Sequence, residues 1–356
     1  MPRPSRVHVF AGGVAVCAAV AATYAFAASR SPELAPAAPP APAAPAPAAP
    51  RPVVAAKPTG VAVLLGAKDL RGRQLLFRDL DRSNTANFGR IAIAPVTNPA
   101  ARRLVGTVRC ERVYFAGGRG LCLAKGGGFG TLYSAQVLDA QYRVVHKIPL
   151  AGLPSRARVS PDGRYGATTT FVTGHSYNSP GKFSTQTLLL DLVNGKVIAN
   201  LEKFTVTRGG ARVDRPDVNF WGVTYARNSN RFYATMATGD KTYLIEGDVA
   251  ARTARVLREN VECPSLSPDG TRIAYKKRVV YAAGSPRIWN LHVLDLRTLR
   301  DTALAETLPI DDQAEWLGNR LVLYRNSEEI RVVPADGSGA PMSLLPGADS
   351  PATLVS

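Results

Sequence analysis

The chain has 356 residues, 46% of them hydrophobic and 20% charged, with a formal net charge of +17. That composition excludes a wholly disordered chain, because it holds enough apolar side chain to bury a core, and the length allows one large domain or two ordinary ones. The positive balance favours anionic neighbours such as lipid headgroups, acidic wall polymers or nucleic acid; residues up to Lys57 carry a net +4 and the remainder +13.

Arg3 and Arg6 precede an apolar stretch of 22 residues, Val7 to Ala28. That length can span a bilayer, and positive charge ahead of it predicts a cytoplasmic N-terminus with the bulk of the chain exported. Ala25-Phe26-Ala27 also fits an A-x-A cleavage site. Residues 1–30 therefore read either as a membrane-anchor helix or as a cleaved signal peptide. The stretch exceeds the usual signal core, which weighs towards the anchor, and Val16 ahead of Cys17 argues against lipidation. Residues 31–58 are rich in Pro and Ala and cannot build a core, so they read as a disordered, extended linker. At about 3.1 Å per residue this spacer could hold a domain up to roughly 80 Å from a membrane, which suits an anchored protein.

From Thr59 onward no amphipathic helix is evident, and residues 59–356 read as one all-β domain. "SPDGRYGA" begins at Ser160 and "SPDGTRIAY" at Ser267. Proline presets φ for a tight turn, Asp bonds to backbone just downstream, and Gly takes the left-handed conformation that follows. The flanking residues alternate as in a β-hairpin. Weaker copies begin at Val223, Arg112 and Ala314, and six further strand pairs begin at Leu75, Ala135, Leu188, Tyr243, Leu291 and Ile330. Near the start, Pro58-Thr59-Gly60 leads into a second strand that lacks a first, and Asp349–Ser356 looks like a first strand that lacks a second. Joined, they complete a sixth unit. The expectation is a six-bladed β-propeller closed by pairing of its N- and C-terminal strands, with about 45 to 50 residues per blade.

The two "SPDG" units, followed by "LLLDL" and "LHVLDL" strands, resemble the WD40-like repeats of the TolB family of exported propellers. The resemblance implies an extracytoplasmic, non-catalytic propeller that binds protein partners in its envelope. TolB itself has an additional N-terminal α/β domain, for which residues between Ala28 and Thr59 leave no room.

Three long connections are expected on one face of the ring: Thr173 to Thr185, Val206 to Trp221 and Arg278 to Arg287. Long loops on a rigid scaffold are where binding concentrates. They carry Arg208, Arg212, Arg215, Lys182, His175, Tyr177, Trp221 and Tyr281, and arginine interleaved with aromatics suits an anionic or carboxylate-bearing partner. The alternative is tolerated insertions with solvated charges and buried aromatics.

Signals of catalysis are weak. His146, His175 and His292 are scattered, so no metal site and no cofactor is expected. Gly174-His175-Ser176-Tyr177-Asn178 lacks the second glycine of a nucleophile elbow, and Gly126-Gly127-Gly128-Phe129-Gly130 lacks the lysine and helix of a phosphate loop. Cys110 and Cys122 flank one hairpin. If Cys122 lies opposite Tyr114, the pair is too far apart to bridge, unless Cys110 precedes the strand and folds back; the sequence leaves both open. The leading expectation is a monomeric binding module for an envelope protein or an anionic wall polymer, held to the membrane by the N-terminal helix and not directed at nucleic acid. The alternative is a propeller hydrolase or lyase working at the central channel.

Overall fold

The computed structural model describes Leu70 and residues 72–128, 131–172, 184–279 and 288–355, all within the compact unit Ala56–Ser356. The expected anchor or signal, the Pro/Ala-rich linker and the strand expected after Thr59 lie outside the described residues. Among the described residues no helix is long and apolar enough to cross a membrane.

Six sheets, each built on four antiparallel strands, follow one another along the chain. Blade 1 is ordered Ala348–Val355, Arg73–Asp79, Arg90–Pro95, Arg103–Arg109 from the axis outward. Blade 2 is Arg112–Ala116, Arg119–Gly128, Thr131–Leu138, Val144–Leu150; blade 3 is Leu153–Val159, Tyr165–Phe171, Thr185–Asp191, Lys196–Asn200. Blade 4 is Asn219–Tyr225, Arg231–Thr238, Lys241–Asp248, Thr253–Glu259; blade 5 is Glu262–Leu266, Arg272–Val279, Ile288–Asp295, Asp301–Ala303. Blade 6 is Glu315–Leu317, Leu321–Asn326, Glu329–Pro334, Met342–Pro346. The first strands of successive blades touch one another all the way round, so they surround a central channel.

Closure comes from the last described strand, which pairs antiparallel with the first: Arg73 opposes Val355, Leu76 opposes Ala352 and Asp79 opposes Ala348. The sequence reading is one strand out of step in this blade. Arg73–Asp79 and Arg90–Pro95 are its second and third strands, not its third and fourth, and Arg103–Arg109 supplies the fourth. That outer strand buries only Val105 fully, so its pattern is too polar to stand out.

The apolar core is divided among the six junctions between blades. Along Arg73–Asp79, Leu75 and Phe77 pack towards blade 6 while Leu76 packs towards blade 2. Along Leu321–Asn326, Leu321 and Leu323 face blade 1, and Val322 and Tyr324 face blade 5. Successive side chains leave a strand on opposite faces, and both faces are covered here. This is why the strands read as unbroken apolar runs rather than alternating ones. Each fully buried Leu or Phe contributes about 1.5–3 kcal/mol.

The two "SPDG" turns have the same bonds. Ser160 donates to Asp162 at 2.6 Å and accepts from the Tyr165 amide at 2.9 Å, and the Arg164 amide donates to Asp162 at 3.0 Å. Ser267, Asp269, Arg272 and Thr271 repeat these at 2.6, 3.0 and 3.0 Å. Gly163 and Gly270 have φ of 72° and 76°, which glycine adopts freely. Both turn acids therefore serve structure.

Candidate binding site at the channel mouth

In blades 2 to 6 the inner strand leads into a turn, and one residue at the same interval before each turn lines the channel mouth. Blades 2 to 6 contribute Tyr114, Arg158, Thr224, Ser265 and Glu315, and blade 1 contributes Thr353; all six line one cavity of about 720 Å³. The ring they form is bonded internally. Arg158 donates to Glu315 at 2.5 Å, to the Ser265 hydroxyl at 3.2 Å and to the Ala314 carbonyl at 2.6 Å. The Tyr114 hydroxyl donates to Glu315 at 3.1 Å, and Arg158 stacks 4.4 Å from the centre of the Tyr114 ring. Thr224 accepts from the Leu266 amide at 3.1 Å, and Thr353 donates to the Trp316 carbonyl at 2.9 Å.

Burial raises the Glu315 carboxyl above its ordinary range, against the pull of Arg158 and Tyr114. Burial, reinforced by Glu315, also raises the Tyr114 phenol, so it stays a donor at physiological pH. The acid is thus committed to a guanidinium and a phenol, and among the described residues no histidine or cysteine lines the cavity.

Above the ring the cavity opens on the face of the hairpin turns and runs outward between blades 1 and 2. Gln74, Ile93 and Leu354 form one wall, and Phe115 and Tyr142 the other, their rings 5.1 Å apart. The groove exists because blade 1 has no turn joining its first two strands, which come from opposite ends of the described chain. Elsewhere the turns close ranks: a Cβ on Gly117 of blade 2 would lie 2.2 Å from the Gly163 amide of blade 3. Arg103 stands exposed at the groove without an ion pair among the described residues.

The far end of the channel is plugged by charge. Asp349 on the inner strand of blade 1 meets Arg78, Arg112 and Arg325. Asp312 meets Arg112, Arg156 and Arg325. Burial opposes its ionisation, yet these three guanidiniums hold its carboxyl far below the usual range.

The residues singled out from sequence do not gather at this cavity. Val206 to Trp221 is not a simple loop: Thr205–Arg208 adds to blade 4 parallel to Thr253–Glu259, and Ala211–Arg212 extends it further. Arg208 lies on this outer edge, stacked 4.8 Å from the Tyr243 ring and 3.8 Å from Glu259. Arg212 is exposed on the edge beside it, Arg215 pairs with Asp217 at 3.4 Å, and Trp221 is buried in the inner strand. His175, Tyr177, Lys182 and Tyr281 lie outside the described residues. Cys110 precedes its strand, Val113 rather than Tyr114 opposes Cys122, and the two cysteines form a disulfide with a Cα–Cα distance of 5.4 Å. The ring residues of blades 2 to 6 carried a signal in sequence: each sits at the same interval before its blade's turn.

No protein-family model and no curated protein matches the chain. Among solved structures, TolB from Acinetobacter baumannii superposes with a TM-score of 0.55, 18% identity, and coverage of 80% of this chain and 67% of that one. The fold is that of a TolB-like six-bladed propeller. A chain of a nidogen/laminin complex superposes on this TolB-like ring with a TM-score of 0.54 and 10% identity, covering 79% of this chain and 98% of that one. A putative TolB from Agrobacterium tumefaciens gives a TM-score of 0.48 and 11% identity, covering 78% and 91%.

Proposed function

We propose that this chain is a non-catalytic binding module that works outside the cytoplasm and holds a segment of a protein partner, or a wall component, in the cavity at the channel mouth. The observation that carries this reading is the chemistry of the ring. Its hydroxyls, its carboxylate and its guanidinium are bonded to one another or to backbone, while aromatic and apolar walls and Arg103, which has no ion pair among the described residues, face outward. Such a surface recognises through buried aromatics and arginine and has no free acid, base or nucleophile to offer. The TolB-like fold supports the reading, and a chain of a nidogen/laminin complex that shares the fold belongs to a protein complex.

Export is supported by the apolar stretch after Arg3 and Arg6 and by the Cys110–Cys122 disulfide, which belongs to an oxidising compartment. A membrane anchor followed by the Pro/Ala-rich spacer would then present the propeller to the envelope. The second reading is a hydrolase or lyase, favoured only by Glu315, whose raised carboxyl lies in the cavity.

Affinity capture from native envelope tests the reading. The full-length chain is compared with Arg103→Glu, with Phe115→Ala, and with a variant carrying Arg208→Ala, Arg212→Ala and Arg215→Ala. Loss of a partner in the first two alone supports the cavity. Equal recovery in all of them removes it, and loss only in the third moves the site to the outer edge of blade 4.

A further inference from the structure

Between the polar ring and the charged plug, the buried atoms Arg158 Nε, Asp312 Oδ2 and Ser350 Oγ have no hydrogen-bond partner among the described residues. All three residues line one small cavity of about 30 Å³. We propose that this cavity binds a single water molecule, bonded by Arg158, Asp312 and Ser350, which joins the ring and the plug into one hydrogen-bonded unit.

A water needs roughly 10–15 Å³ and two to four polar partners, and both conditions are met. The donor pattern selects the occupant. It must accept from the Arg158 Nε–H and donate to Asp312 Oδ2. Chloride can accept but cannot donate; a metal or ammonium ion cannot accept. Water does both and keeps a further bond for the Ser350 hydroxyl. The surrounding charges are five guanidiniums, Arg78, Arg112, Arg156, Arg158 and Arg325, against four carboxylates, Glu111, Asp312, Glu315 and Asp349, so the choice of water rests on the donor pattern and not on charge. The space itself arises from the backbone. The register of the last strand shifts between Leu76 and Arg78, and Ser350 sits there at φ 53°.

Arg158 belongs to the floor of the large cavity, and Asp312 to the plug that grips the inner strand of blade 1. The water therefore links the two ends of the channel. High-resolution crystals of the whole chain grown in bromide test the occupant. The expected result is one peak without anomalous signal, within hydrogen-bond distance of the three atoms. An anomalous peak, or no density with Arg158 Nε turned onto a protein oxygen, overturns the proposal. The link is tested by melting temperatures of Glu315→Gln, Asp349→Asn and the double variant. Shifts that fail to add support a joined unit, and shifts that add overturn it.

Discussion

Arg78 donates through Nε and a terminal nitrogen to both carboxylate oxygens of Asp349, at 2.9 and 2.8 Å, across 271 residues of sequence. Arg78 lies on the second strand of blade 1 and Asp349 on its first, so this pair clasps the two ends of the described chain. Asp349 is fully buried and also meets Arg112 of blade 2 and Arg325 of blade 6. Asp349→Ala leaves several guanidiniums without their shared partner. Breaking a buried pair from one side costs about 3–5 kcal/mol, and the expected outcome is a loss of that size in urea denaturation.

The disulfide ties Cys110 to Cys122 across a separation of 12 residues. Closing so short a loop stabilises by about 2–3 kcal/mol through the unfolded chain. Cys110→Ser with Cys122→Ser should lower the melting temperature, and reductant should lower that of the parent but not of the double variant. Cys263 is the free cysteine among the described residues and is buried, so thiol labelling at that position should be negligible until the domain unfolds.

Glu202 gives a pH dependence. Where the outer strand of blade 3 ends at Asn200, the Glu202 carboxylate takes over the Thr187 amide at 3.0 Å. Burial raises its carboxyl from an ordinary 4.5 to about 7, against the backbone amides that favour the anion. The folded state therefore holds the proton more tightly than the unfolded state. Its contribution is fully present below pH 4.5 and is lost as pH rises through about 7. At most about 3 kcal/mol is at stake. Glu202→Gln should flatten the fall in stability across this window, as measured by denaturation at a series of pH values.

Two neighbouring glycines separate backbone strain from steric collision. Gly117 and Gly118 both have positive φ, 54° and 73°. A Cβ on Gly118 meets nothing, whereas one on Gly117 strikes the Gly163 amide of blade 3 at 2.2 Å. Gly118→Ala should cost about 1–2 kcal/mol from its left-handed backbone. Gly117→Ala should cost clearly more in the same urea assay, because two blades must part to admit the methyl group.

The site was less legible than the fold for a local reason. Long loops rich in arginine drew attention to Arg208, Arg212 and Arg215, which the structure puts on a ribbon at the outer edge of blade 4. Tyr114, Thr224, Ser265 and Thr353 are ordinary strand residues until six blades aim them at one axis. Arg158 and Glu315, 157 residues apart, show no pairing in sequence.

The amino-acid order by itself determined the repeating hairpins, the "SPDG" turn bonds, the apolar runs buried on both faces and the completion of one blade from both ends. The first three depend on neighbours within a few residues, where proline, glycine and side-chain pattern act directly; the last was legible because each end carries a strand signal without its partner. Only the tertiary structure decided which strand of blade 1 is which, where the cavity opens, and that Val206–Trp221 becomes an added ribbon. Those outcomes depend on pairings between residues far apart in the chain, whose energy appears only when the ring is closed.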